Sequence, residues 1–229
     1  MLETPEQMRD AMAAGRDATT KPIVFVLGDS ISMHYGQHLA KLIAGRFRYA
    51  RKTGREKALR HAKLEHDGNG GHSGKVLDYL RAMAADRSWR VDVLLMNCGL
   101  HDTKIIPPRA THQVPIERYR RNVTEAIRLA KRLAGQVIWV RSTHVNEAAH
   151  PKRFRAFRRH NAAVSAYNLA ADAIAAASGV RILDLDGFTR GLRAVLSEPL
   201  YADHVHFSPH VCRLQAAFIA GGLAAMVTR

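Results

Sequence analysis

Two short stretches far apart in the chain hold residue types that can act together on a substrate. Gly28-Asp29-Ser30 offers a serine hydroxyl at the end of an apolar run, and Asp203-His204-Val205-His206 offers a carboxylate and an imidazole three residues apart. A serine hydroxyl is a poor nucleophile at neutral pH and needs a base within hydrogen-bond reach. On a turn or a helical start, a spacing of three brings Asp203 beside His206. A carboxylate on one ring nitrogen fixes the tautomer and leaves the other nitrogen free to accept a proton. Two other readings stand beside this one. Asp203 can cap a turn while His206 packs on the rim, or Asp203, His204 and His206 can hold a metal ion. Asp29-Ser30 can likewise be no more than the cap of the following helix. The base reading leads because a nucleophile and a glycine loop elsewhere in the chain call for one.

That loop is Asp67-Gly68-Asn69-Gly70-Gly71-His72-Ser73-Gly74. So many glycines let a backbone come close to another group. The stretch does not match the GxGxxG or GK[ST] phosphate-binding patterns. Backbone N–H groups in such a loop can instead donate to a developing oxyanion. A surface turn is the plain alternative. Asn97-Cys98-Gly99-Leu100-His101-Asp102 is a further polar stretch at the end of an apolar run, and Ser142-Thr143-His144-Val145-Asn146 is another. Asp29 and His144, one on each of two such rims, are candidate substrate contacts.

The elements between these stretches must place them together. Residues 22–27, 91–96, 136–141 and 180–185 read as short buried strands, with a second, edge strand near 47–51. Helices are expected over 34–47, 75–85, 115–133, 155–178 and 210–226 from apolar residues at helical spacing. Asn122-Val123-Thr124 is a formal glycosylation sequon, discounted because it falls in mid-helix. His34 and His38 can share a helix face, but two ligands make a poor metal site. The alternation implies a three-layer α/β/α sandwich, flavodoxin-like, with about five parallel strands. In such a sheet all the polar stretches above collect at the carboxyl ends of the strands. Residues 4–18 read as an amphipathic helix. The chain therefore divides into an N-terminal helical extension, 1–20, and a single domain, 21–229.

Composition narrows the class. The chain has 229 residues, 47% of them hydrophobic, enough for one sizeable core. No run approaches the ~18–20 apolar residues of a membrane span. The first twenty residues lack a basic region followed by an apolar one, so the expectation is a cytoplasmic chain, with export of a longer precursor left open. Cys98 and Cys212 make no disulfide framework, and buried free thiols are expected. The formal net charge is +15. Basic residues fall in two blocks, 46–63 and 152–159, without a nucleic-acid motif. Solvated surface ranks first, an anionic substrate second and nucleic acid third.

Taken in order, these blocks resemble the SGNH hydrolases, or GDSL-type esterases. Gly28-Asp29-Ser30 is similar to the family's nucleophile turn, and Asp203 to His206 is similar to its D-x-x-H block. The resemblance implies a catalytic Ser30, Asp203 and His206. It also implies an oxyanion hole made by the N–H groups of Ser30 and Gly71, with Gly70 the other choice. One block departs: where the family has G-x-N-D, this chain has Gly99-Leu100-His101-Asp102. A histidine can donate in place of the asparagine amide, so His101 is taken as the third donor. The implied function is hydrolysis of a small acyl ester, with an O-acetyl group as one choice, and without metal or cofactor. The alternatives are a carbohydrate O-acyltransferase using the same residues and a catalytically silent basic binding domain. The expected partner is a small-molecule or carbohydrate ester.

Overall fold

The computed structural model describes residues 21–53, 68–149 and 156–227. The expected helix at 4–18 lies outside them. Five strands form one parallel sheet: β1 (Ile23–Leu27), β2 (Arg48–Arg51), β3 (Val91–Met96), β4 (Ala134–Val140) and β5 (Arg181–Leu183), in the order β2-β1-β3-β4-β5. Among the described residues six α-helices accompany it: α1 (Ser30–Ile43), α2 (Ser73–Ala85), α3 (Ile116–Leu133), α4 (Asn161–Ala177), α5 (Leu185–Gly191) and α6 (Pro209–Met226). The three-layer α/β/α architecture read from the alternation is present.

Strand burial explains the layers. Every residue of β1 is buried. Because successive side chains point to opposite faces, Ile23, Phe25 and Leu27 pack with α2, α3 and α4, while Val24 and Val26 pack with α1, α5 and α6. Cys98 and Cys212 are buried free thiols.

Several boundaries differ from expectation, and three of them have a clear local reason. Helix α1 begins at Ser30, four residues early, because Asp29 accepts from the Ile31 N–H at 3.0 Å and caps it there. Helix α4 begins at Asn161. Residues 156–160 are extended instead, since Arg158 and Ile105 exchange backbone hydrogen bonds of 2.9 Å in both directions. Strand β5 ends at Leu183, where Asp184 turns the chain and accepts from the Gly187 N–H to cap α5.

Strand order reverses between β1 and β3, the place where open α/β sheets form their clefts. Ser30 follows β1 and Asn97 follows β3, so both polar stretches issue from neighbouring strands at this point. The junction is stitched by backbone bonds: the Asn97 N–H donates to Leu27 and the Gly70 N–H to Gly28, both at 2.9 Å.

Candidate active site

Tyr201 and Phe207 pair in a tight antiparallel bridge, and the turn between them carries Asp203 and His206. One carboxylate oxygen of Asp203 accepts the Val205 and His206 N–H groups at 2.7 Å each, which shapes the turn. The other lies 2.7 Å from His206 Nδ1. His206 Nε2 is 2.9 Å from Ser30 Oγ. Three side chains, Ser30 and His206 lying 176 positions apart in the chain, thus form one hydrogen-bonded line from Asp203 through His206 to Ser30. Turn-capping and imidazole-orienting are not rivals here, because each uses a different oxygen. His206 spends both ring nitrogens on protein partners, which argues against the metal reading. Burial pushes the Asp203 carboxyl up, but the His206 N–H, its ring and the Val205 N–H outweigh this and bring it down to about 2. Asp203 is therefore ionised at neutral pH.

The glycine loop is joined to the turn that carries Ser30, the Gly70 N–H donating to the Gly28 carbonyl at 2.9 Å. Gly71 has φ +69°, the left-handed region that favours glycine. Its N–H donates to the Asn69 side chain at 2.9 Å. The Gly70 N–H is committed to the Gly28 carbonyl. The Ser30 N–H, at the start of α1, has no hydrogen-bond partner among the described residues.

Residues 26–214 match the model of the GDSL-like lipase/acylhydrolase family. The chain belongs to this family. Solved structures agree in fold. A lipase/acylhydrolase from Enterococcus faecalis is 16% identical, with a TM-score of 0.65 over 90% of this chain and 97% of that one. An acetylxylan esterase from Geobacillus stearothermophilus is 14% identical, with a TM-score of 0.62 over 91% and 95%. A carbohydrate acetylesterase from Sinorhizobium meliloti is 14% identical, with a TM-score of 0.61 over 90% and 100%. No curated protein matches the chain. The protein is a GDSL-like hydrolase acting on ester bonds.

Other residues of this acylhydrolase take less expected places. Asp29 is 3% exposed and capped onto the Ile31 N–H, so the structure gives it a helix-capping place and not an open face for substrate. His144 Nε2 lies 2.9 Å from Ser165 Oγ and faces Asp186, so its ring is engaged by α4 and α5. The His101 side chain has no hydrogen-bond partner among the described residues. Burial, followed by the charges of Lys104, Arg159, His72 and Lys75, lowers its pKa to about 3. Asp102 is fully buried and accepts both the N–H and the hydroxyl of Ser73; it fastens the start of α2 to the β3 rim. His34, one helical turn from Ser30, lies against the His206 ring with centroids 4.5 Å apart. Its spacing of four from Ser30 is the signal that places both on one helix face.

Two cations of the first basic block hold the glycine loop and are not free surface. Arg51 donates to the carbonyls of Gly68 at 2.9 Å and Ser32 at 3.0 Å, and Lys52, 5% exposed, donates to Asn69 at 3.2 Å. Arg51→Ala should therefore lower kcat on a short-chain aryl ester by roughly tenfold to a hundredfold through loop misplacement, with the fold retained by circular dichroism. Unchanged kcat in folded protein would show that the loop is held by other means.

Proposed function

We propose that the chain hydrolyses a small acyl ester, with an O-acetyl group as the acyl part and a carbohydrate as the alcohol, through a Ser30 acyl-enzyme. The observation that carries this reading is the unbroken line Asp203–His206–Ser30, with contacts of 2.7 and 2.9 Å. Ser30 Oγ attacks the carbonyl carbon while His206 Nε2 takes its proton. Asp203 holds the imidazole in place and favours its cationic form. As the carbon–oxygen bond to the alcohol breaks, His206 returns the proton to the leaving oxygen. Water then repeats the sequence on the acyl-enzyme, releasing the carboxylic acid and restoring Ser30.

The oxyanion of each tetrahedral intermediate needs donors aimed at it. The Ser30 N–H is available. The Gly71 N–H points at a side-chain oxygen, Asn69 Oδ1, which can move aside for the oxyanion; Gly70's donor is locked into the backbone. This difference supports Gly71 as the second donor, with His101 as the third. The acetyl and carbohydrate parts of the reading draw support from the acetylesterases among the structural neighbours.

A panel of p-nitrophenyl esters of increasing acyl length, run beside acetylated xylo-oligosaccharides, tests the reading. Acetate should be turned over fastest, and intact-mass analysis after rapid quench should find Ser30 acetylated. Preference for long acyl chains would overturn the acetyl assignment. Transfer of the acetyl group to an added sugar in preference to water would make the protein a transferase using the same residues.

A further inference from the structure

Arg159 is 4% exposed, and its Nε donates to the Leu100 carbonyl at 2.7 Å. Its two terminal nitrogens have no hydrogen-bond partner, and no carboxylate lies within ion-pair reach, among the described residues. The guanidinium sits 4.7 Å from the centre of the Phe157 ring, and Lys104 Nζ sits 4.6 Å from the same centre. One ring therefore gathers two like charges. A Cβ built on Gly71 would come within 2.8 Å of Lys75 Cδ, so the lysine stem lies over the glycine loop. The extended segment 156–160 brings Arg159 here, and it is held by the Ile105–Arg158 pairing in place of a further turn of α4.

Burying cations together is unfavourable unless something answers them. Burial, then Arg159, then Lys75 lower the Lys104 ammonium to about 8, and burial lowers Arg159 to about 10. Asp29 is the acidic group that feels Arg159, but it is buried and its carboxylate already caps α1. A guanidinium with both terminal nitrogens unused presents a fork that fits a carboxylate.

We propose that Arg159 and Lys104, at the sheet rim where the stretch after β3 neighbours the turn carrying Ser30, form an anion-binding subsite that receives a carboxylate carried by the ester substrate. The inference rests on the ester-hydrolase reading and narrows its substrate class. The carboxylate belongs either to the alcohol, as in an acetylated hydroxy acid or sugar acid, or to the acyl group, as in a dicarboxylic half-ester, which would then stand in place of the acetyl group.

Two matched pairs of esters separate these sources: p-nitrophenyl acetate against mono-p-nitrophenyl succinate, and phenyl acetate against 4-acetoxybenzoate. The anionic member of one pair should show the higher kcat/KM through a lower KM, and the preference should fade at high salt. Lys104→Gln and Arg159→Gln should each cut the anionic-to-neutral ratio by about 10- to 100-fold, the worth of a charged hydrogen bond. Lys104 is only half-buried, so its variant keeps the test available if Arg159→Gln does not fold. Absence of preference in both pairs would overturn the subsite. So would a ratio unmoved by Lys104→Gln, or neutral and anionic esters losing kcat equally, which would mark the cations as oxyanion stabilisers. If none of the four esters were hydrolysed, the esterase reading would fail instead. Calorimetric titration with succinate then decides the subsite alone: binding to the unaltered protein that is lost in Lys104→Gln supports it, and no binding overturns it.

Discussion

Ser30→Ala is expected to lower kcat on p-nitrophenyl acetate by about 10⁴-fold or more, with the fold intact. Ser30 is the member of the hydrogen-bonded line with a base already at its oxygen, its Oγ lying 2.9 Å from His206 Nε2. His206→Ala should cost nearly as much, because the remaining hydroxyl has no base. The double variant should be little worse than either single one, since the residues act as a unit. Asp203→Asn tests the third member. It keeps an oxygen for the turn N–H groups but loses the charge that favours cationic His206, so kcat should fall steeply while the melting temperature moves little. Steady-state kinetics and pre-steady-state bursts on quantified, folded protein read all four variants. Additive losses in the double variant, or a Ser30→Ala protein that keeps its turnover, would remove Ser30 from the chemistry. A separate catalytic centre would then have to be sought.

Much of this arrangement is legible in the chain because parallel strands announce themselves. Ile23–Leu27 and Val91–Met96 are unbroken apolar runs, and breakers after each predict where the polar rim lies. Once those strands are neighbours, Ser30 and the Asn97–Asp102 stretch share one end of the sheet. What the chain does not announce is tertiary competition for local preference. Residues 156–160 have no breaker and read as helix, yet the pairing of Arg158 with Ile105 extends them and delivers Arg159 to the rim. Helix α5 has only seven residues, too few for a periodic signal, and its cap Asp184 falls in what reads as strand. Asp29 reads as a site residue because of its neighbour, whereas its carboxylate is spent on a helix N–H. The anchoring of the glycine loop by Arg51 and Lys52 is invisible in sequence for a related reason. A lysine that is 5% exposed looks like any surface lysine until the carbonyls around it are known.

His101 is where the chain leaves the family pattern, and it supports the second large effect. Its imidazole is neutral across any practical assay range, since burial and four nearby cationic or imidazole side chains bring its pKa down to about 3. A neutral imidazole donates from one nitrogen only, and no described residue takes that hydrogen bond in the resting protein. If the donor serves the oxyanion, it acts in the transition state more than in the ground state. His101→Ala should then lower kcat and kcat/KM together by roughly 10²–10³, with little change in KM. His101→Asn should recover much of the loss, because an amide N–H can reach a similar point. The sign with pH follows from the low pKa. The group loses its donor-only character as pH rises through about 3, well below the assay range, so neither variant should move the acid limb of the kcat/KM profile. A shifted limb would mean that His101 carries a proton during turnover. An alternative is that His101 only packs at the β3 rim, in which case His101→Ala should lower the melting temperature but keep turnover per folded molecule. Near-unchanged kcat in the folded alanine variant would exclude the oxyanion role and leave the hole to the backbone donors of Ser30 and Gly71.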